Sequence, residues 1–240
     1  MGTPALTSGA KYIMPNFDPF EAILVVTQFI ILLTFHEWGH AKSADMLGDP
    51  TARDLGRMSL NPGVHIDIIG TLILPLLGTL FGGGFFGWAK PVPVNPFNLK
   101  NPRRDLMLIA AAGPFMNIVL TFVILGVLRI ILEFTGFNPA DSALHAEINR
   151  QLIRTALISV FLAAFNMLPL FPLDGFSVVR GLLPARAAHQ FEKLSPYGMP
   201  ILMCLIFLPG IFGIPNYVFG FLSNISFETL NLIAKIVGLR

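Results

Sequence analysis

Long apolar runs alternate with shorter polar stretches along this chain of 240 residues. A helix needs about 20 apolar residues to cross the roughly 30 Å of bilayer hydrocarbon, and most of the runs approach or exceed that length. The runs lie at about Phe20–Met46, Ile68–Trp88, Leu106–Phe134, Leu152–Leu173, Pro196–Leu208 and Ile214–Ile236. The second run is rich in glycine and the last two lie close together. The pattern predicts an all-α polytopic membrane protein with about five transmembrane helices.

Composition supports the membrane assignment. The chain is 54% hydrophobic and only 12% charged, whereas a soluble domain is about 45–50% apolar and about 25% charged. The formal net charge of +2 is too small to indicate a nucleic-acid partner, and the single cysteine, Cys204, excludes an internal disulfide. We expect one integral-membrane domain over 1–240, with a core at about 20–195 and a C-terminal helical hairpin at about 196–238.

The stretch LTFHEWGHAKSA at 33–44 places two histidines and a glutamate inside the first apolar run. Helix positions four apart lie on one face, so His36 and His40 point together with Glu37 beside them. HExxH on a helix is the spacing of two zinc ligands with a glutamate as general base. Two core histidines bonded to carbonyls would show the same letters, but ionisable groups inside a membrane are costly and usually functional. The motif therefore indicates a zinc site.

A catalytic zinc needs a third protein ligand and an open position for water. Asp174 follows Pro169 and Pro172, which end a helix where its backbone can meet a polar cavity. The Asp-Gly dipeptide there is equally typical of an ordinary turn. The candidates for the third ligand are Asp174, His65, Asp67, Glu133 and Asp141, the last two at the wrong end of the third run.

Three motifs occur in order on the apolar segments: HEWGH (36–40), AAGPFMN (111–117) and NMLPLFPLDG (166–175). Together they resemble the site-2 protease family of intramembrane zinc metalloproteases, in its compact bacterial branch without PDZ or CBS domains. The resemblance covers about residues 20–200. It implies that His36, His40 and Asp174 bind one zinc ion per chain and that Glu37 activates a water molecule. The expected activity is endopeptidase cleavage, with a regulatory role, in or near the transmembrane segments of single-span membrane proteins.

Supporting roles follow for other polar residues. The resemblance implies that Asn166 is a polar helper near the reacting carbonyl and that Asn117 positions backbone or substrate. His65 and Asp67, if they are not ligands, are expected to cap or orient the second run.

Metal geometry also predicts the topology. His36 lies about 16 residues, roughly 24 Å of helix, into the first run, and Asp174 about 22 residues, roughly 33 Å, into the fourth. Both are near the C-terminal ends of their runs, so these runs must be parallel. The region 68–96 is then expected to be re-entrant or a hairpin, consistent with Gly82-Gly83-Gly84 and its proline-rich tail. The polar stretches 47–67 and 89–105 lie on one side.

Charge bias agrees with this topology. The hairpin places three basic residues, Lys11, Arg150 and Arg154, on one side and sets Arg129 aside as intramembrane. The other side holds 12, namely Lys42, Arg53, Arg57, Lys90, Lys100, Arg103, Arg104, Arg180, Arg186, Lys193, Lys235 and Arg240. Since basic loops stay in the cytoplasm, the catalytic end is expected to face the cytoplasm from a cell (inner) membrane.

Two features leave alternatives open. The β-prone PVPVNPF stretch (91–97) could offer an edge to an extended substrate or form a rigid proline loop. A zinc or ion transporter would also place histidine and carboxylate in membrane segments, although the inverted repeats typical of transporters are missing from the sequence. A catalytically inactive scaffold would lack a ligand or the base, whereas Glu37 is present.

Overall fold

The computed structural model describes residues 19–76 and 87–239, so the Gly82–Gly84 segment invoked for the hairpin lies outside the described residues. Helices dominate, and no strand occurs in either range. The helices are α1 (Pro19–Met46), α2 (Thr51–Asp54), α3 (Pro102–Phe134), α4 (Ala143–Asn166), α5 (Asp174–Leu182), α6 (Ala185–Glu192), α7 (Ser195–Phe212) and α8 (Tyr217–Val237). A π-helical turn covers Ile68–Ile73, and single 3₁₀ turns cover Pro62–Val64 and Pro96–Asn98.

Four helices within these ranges are long and apolar enough to cross a membrane: α1, α3, α4 and α7. The 21-residue α8 is a fifth long helix, although it is not one of those four. The predicted all-α polytopic class is confirmed. The β-prone PVPVNPF stretch (91–97) belongs to no strand and runs into the 3₁₀ turn at Pro96–Asn98.

The central helix of the fold is α3, which packs against α1 on one side and α4 on the other. Close approach of α1 depends on a glycine, because a Cβ atom at Gly39 would lie 2.6 Å from Cγ of Met116 and 2.8 Å from the Ala112 carbonyl oxygen. On the other side, the Ser159 hydroxyl of α4 donates a 2.7 Å hydrogen bond to the Asn117 carbonyl. The AAGPFMN motif is therefore enclosed between α1 and α4.

The two ends of the second apolar run are hydrogen-bonded to each other. The Trp88 N–H donates to the Gly70 carbonyl at 3.1 Å, and the Lys90 N–H donates to the His65 carbonyl at 2.9 Å. The departing and returning chains thus lie side by side. This contact agrees with the predicted hairpin, in which the chain returns to the side that it left, while residues 77–86 between the two ends lie outside the described residues.

Asp49 joins the two polar stretches on either side of this hairpin. Its buried carboxylate accepts hydrogen bonds from the Asn98 side-chain amide and the Asn95 N–H, both at 2.7 Å. Arg57 adds a third connection by donating to the Lys90 carbonyl at 2.7 Å. Burial raises the pKa of Asp49, but the hydrogen bonds it accepts outweigh burial and hold that pKa below its usual range. Stretches 47–67 and 89–105 therefore meet at one end of the molecule, as predicted.

The helix that contains most of the apolar run 152–173 begins earlier and ends earlier than the run does. Helix α4 begins at Ala143, where the Ser142 hydroxyl accepts a hydrogen bond from the His145 N–H, and ends at Asn166. Prolines that follow cannot continue the helix, so residues 167–173 form a loop and Asp174 begins the separate helix α5. The polar segment that follows Asp174 forms two short helices, α5 and α6, because Pro184 interrupts the helix between them.

The direction of α8 corrects the predicted charge distribution. Its first turn packs against the end of α4 that leads to Asp174, with the rings of Phe219 and Phe165 5.9 Å apart. Its last residues reach the opposite end of α3, where Arg129 donates to the Gly238 carbonyl. Lys235 therefore lies at the far end, and its predicted place at the catalytic end is wrong. The reason is that α7 does not carry the chain to the far end: the Asn216 amide, just before α8, bonds the Leu205 carbonyl within α7.

Candidate metal centre

The two histidines of HEWGH lie one turn apart on α1 with their side chains side by side. Both are buried, at 3% and 9% exposure, and their Nε2 atoms lie 3.1 Å apart. The rings are nearly perpendicular, at 87°. The i, i+4 spacing thus produces the paired imidazoles that the sequence predicted.

Asp174 reaches this pair from the start of α5. Its Oδ2 atom lies 3.0 Å from Nε2 of His36, and its Oδ1 atom lies 3.3 Å from Nε2 of His40. Two ligand atoms, each about 2.0–2.1 Å from a tetrahedral zinc ion, stand about 3.3–3.4 Å apart. The Oδ2 atom is buried and, apart from this contact with the His36 ring, has no hydrogen-bond partner, as expected for an oxygen that faces a metal position. The three residues fit a zinc ion with one coordination position left open.

The other candidates for the third ligand are occupied elsewhere. His65 is buried, and its Nε2 atom lies 2.8 Å from the Ser59 carbonyl oxygen. Asp67 caps the π-helical turn by accepting from the N–H groups of Ile69 and Gly70 at 3.1 and 2.8 Å. Glu133 pairs with Arg129 on α3, and Asp141 lies in the loop before α4. Within the described residues, His36, His40 and Asp174 form the single metal-compatible group.

A cavity of about 430 Å³ opens beside these ligands. Glu37 lines it from the same turn of α1 as His36 and is 8% exposed. The remaining wall comes from the return arm of the hairpin, from α3 and α4 and from α7, and includes Val92, Val94, Leu162 and Leu202. The cavity is largely apolar and can receive a peptide segment next to the metal position.

Helix α3 packs directly against both histidine rings and forms the floor of the candidate metal site, a role that the sequence did not predict. A Cβ atom at Gly113 would lie 2.4 Å from Nε2 of His40 and 2.7 Å from Nε2 of His36, closer than any side chain allows. A glycine inside an apolar helix is itself a signal of close approach. Gly113 is therefore required where the AAGPFMN motif places it.

His40 is oriented by the backbone of α3. Its Nδ1 atom lies 2.7 Å from the Ile109 carbonyl oxygen, which can only accept, so Nδ1 carries the proton. The lone pair is then on Nε2, the atom that faces Asp174. Hydrogen bonds of this kind fix the tautomer of metal-binding histidines. No side chain is involved, so the sequence offers no signal for this contact.

The two asparagines occupy different positions around the site. Asn166 lines the cavity at the end of α4, and its amide Nδ2 donates to the Leu162 carbonyl at 2.9 Å. Asn117 is fully buried behind His36, with its Nδ2 atom 3.3 Å from Nδ1 of that ring. Asn166 is thus within reach of a bound substrate, and Asn117 is adjacent to a ligand.

Comparisons with known proteins identify the family of the chain. The model of peptidase family M50 matches residues 134–209. "Putative zinc metalloprotease YwhC" of Bacillus subtilis is 33% identical over 186 residues, covering 78% of this chain and 80% of that protein. "Putative zinc metalloprotease Rip2" of Mycolicibacterium smegmatis is 27% identical over 190 residues, covering 79% and 68%. No solved structure matches.

The chain therefore belongs to peptidase family M50, the site-2 proteases, and is a zinc metalloprotease of the intramembrane kind. The resemblance drawn from the three motifs is confirmed.

Proposed function

We propose that the protein is a zinc-dependent intramembrane endopeptidase that cleaves single-span membrane proteins in or near their transmembrane segments. One zinc ion per chain would be held by His36, His40 and Asp174. The observation that carries the proposal is the convergence of these three side chains, with ligand atoms 3.0–3.3 Å apart, at the wall of a cavity between apolar helices.

Glu37 is the proposed general base. A bound zinc ion would supply a water molecule with its pKa lowered to about 7 and a positive charge beside the scissile carbonyl. Glu37 lies on the same turn of α1 as the proposed ligands. It would take a proton from that water molecule as the water oxygen attacks the carbonyl carbon. When the C–N bond breaks, Glu37 would return the proton to the leaving amine. The overall reaction consumes one water and leaves Glu37 unchanged.

Asn166 is the proposed donor to the oxyanion. Its Nδ2 atom lies at the cavity wall and now bonds the Leu162 carbonyl of its own helix. An amide with two N–H groups can keep that bond and offer the second hydrogen to a substrate oxygen. Removing a single donor of this kind costs an enzyme about 10²–10³-fold in turnover.

The return arm of the hairpin is the proposed docking edge for substrate. Val92 and Val94 line the cavity in a segment that is neither helix nor strand, and their backbone groups have no backbone partner among the described residues. Both ends of the segment are anchored, by Arg57 to the carbonyls of residues 90 and 91 and by Asp49 to the Asn95 N–H. A fixed, unpaired edge suits a peptide that must leave its helical form to be cut.

Charge supports a cytoplasmic catalytic end at the inner membrane. Moving Lys235 to the far end, and counting described residues only, removes Lys235 and Arg240 from the 12 basic residues at the catalytic end and leaves 10. The far end loses Lys11 from the count, gains Lys235 and stays at 3. This asymmetry favours a cytoplasmic location for the catalytic end.

The direct test is cleavage in reconstituted bilayers. Purified protein with zinc should cut members of a panel of single-span membrane proteins, and a chelator should stop the reaction. Glu37→Gln should retain zinc yet lose cleavage, whereas Glu228→Gln, which changes an exposed carboxylate on α8, should keep both. Full activity of the Glu37→Gln variant would remove Glu37 from the mechanism. Zinc flux into the vesicles without cleavage would favour a transporter.

A further inference from the structure

Asn117 makes an unusual contact for a fully buried side chain. It is 0% exposed, and its Nδ2 atom lies 3.3 Å from Nδ1 of His36. Its Oδ1 atom is also buried and has no hydrogen-bond partner. A buried acceptor without a partner costs about 1–3 kcal/mol, so the arrangement calls for an explanation.

The chemistry of a metal ligand provides one. Nε2 of His36 faces Asp174, so this nitrogen must supply the lone pair for zinc. The neutral ring then carries its proton on Nδ1, which becomes a donor. An amide NH₂ group facing Nδ1 would place two donors together. A half-turn of the amide replaces Nδ2 by Oδ1 with almost no change of shape, and the ring N–H then gains an acceptor.

We propose that Asn117 is a positioning residue for the metal site, which accepts a hydrogen bond from Nδ1–H of His36 through Oδ1. It thereby fixes the tautomer and the ring orientation that leave Nε2 free for zinc. The inference rests on the proposed zinc site and adds a specific role for the last residue of the AAGPFMN motif.

Spacing along α3 supports this role. Ile109, Gly113 and Asn117 follow one another at intervals of four and form a stripe on one face of the helix. The first accepts from His40 at 2.7 Å, the second gives room for both rings, and the third lies at His36. The pair His36 and His40, also four apart on α1, thus faces a stripe that supplies one acceptor for each ring.

The position of Asn117 is itself held firmly. Its backbone carbonyl accepts hydrogen bonds from the Ser159 hydroxyl of α4 at 2.7 Å and from the Thr121 hydroxyl at 2.9 Å. Both hydroxyl residues are fully buried. A residue whose backbone is bonded both to its own helix and to α4 can hold a ligand ring in one orientation, as a partner of a metal-bound histidine must.

Zinc affinity, measured by competition with a chelator on the purified full chain, tests the inference. Loss of an outer partner of a zinc ligand typically costs about 10–100-fold in affinity. Asn117→Leu removes the acceptor at similar volume and should show this loss, whereas Asn117→Asp keeps an acceptor and should stay within a few-fold of the unaltered protein. Gln28→Leu is the matched control, because Gln28 is also a buried amide but bonds Gln151, away from the metal site.

The outcomes separate the inference from the proposed function. If the unaltered chain binds no zinc, the proposed function fails. If it binds zinc and Asn117→Leu has the same affinity as Gln28→Leu, the positioning role is wrong. Equal loss in the Leu and Asp variants would also overturn it, because the acceptor would then not be what matters. Cobalt substitution adds a spectroscopic readout: a reoriented His36 ring should change the visible absorption of the Asn117→Leu protein and leave that of Gln28→Leu unchanged.

Discussion

Gly113 of α3 lies so close to His40 of α1 that a Cβ atom on residue 113 would stand 2.4 Å from the Nε2 atom of the imidazole. Two helices and two sequence motifs therefore share one surface. The two histidines of HEWGH, the proposed metal ligands, can occupy their positions only because AAGPFMN has no side chain at residue 113. The relationship explains why both motifs are needed for one site.

Gly113→Ala should therefore weaken zinc binding, by at least about tenfold if the added methyl group disturbs the ligands as much as a lost outer partner does. Gly126→Ala is the matched control, because it lies on the same helix with nothing within 4 Å of the added atom. Both changes raise helix propensity, by about 1 kcal/mol per residue. Thermal stability should report the gain in helix propensity that both variants share, and zinc content should fall only in Gly113→Ala, where the added methyl group clashes with the histidines. Equal zinc content would contradict a tight fit at Gly113.

Asp174→Ala should lose most of the bound zinc, since one of three protein ligands disappears. His65→Ala and Asp67→Ala should retain it, because their side chains are engaged at Ser59 and at the π-helical turn. Metal analysis after dialysis of each purified variant gives the answer. Stoichiometric zinc in Asp174→Ala, together with loss in His65→Ala, would move the ligand role to the LNPGVHID segment.

Topology can be tested by cysteine labelling in a Cys204→Ser background. Cysteines at Leu60 and Phe97, which are 50% and 97% exposed, should react with an impermeant thiol reagent from the same face. Cysteines at Ala143 and Lys235 should react from the opposite face, since α4 begins and α8 ends there. Labelling of Leu60 and Phe97 from different faces would exclude the hairpin in the membrane. Labelling of residue 235 from the same face as Leu60 and Phe97 would mean that Lys235 lies at the catalytic end, as the sequence analysis first expected.

Stability at acid pH should depend on Asp49. Its folded-state pKa is lowered, so its contribution is present above the unfolded value of about 3.9 and is lost as the pH falls through the folded value. Asp49→Ala should destabilise the protein by about 2–3 kcal/mol at neutral pH, the scale of a buried hydrogen bond to a charged group. The difference in unfolding free energy between the two proteins should shrink below about pH 4. A difference that does not vary with pH would mean that the carboxylate charge is not what joins the two polar stretches.

Local chemistry made part of this site predictable. His36, Glu37 and His40 lie within one helical turn, and the geometry of that turn is the same in any α-helix, so their spacing alone defined a metal-binding face. Run length and composition defined the all-α membrane class, since hydrocarbon thickness limits which elements can cross. The hairpin also followed from the sequence, through the requirement that distant ligands reach one metal.

Contacts between distant segments were decided by packing. Asp174 was one of several candidates until α5 was seen to start beside α1, and Gly113, Ile109 and Asn117 gained their roles only when α3 was placed against the two histidines. The direction of α8 was mispredicted because the last two apolar runs were treated as a hairpin of two crossings, and run length alone does not say how far α7 carries the chain. The sequence by itself determined the candidate metal-binding turn, the membrane class and the side to which the second apolar run returns, because each depends on spacing along one segment or on one shared metal site. The choice of Asp174 as the third candidate ligand, the floor of the candidate site and the path of the C-terminal helices depended on tertiary structure, because they follow from which side chains of separate helices fit together in space.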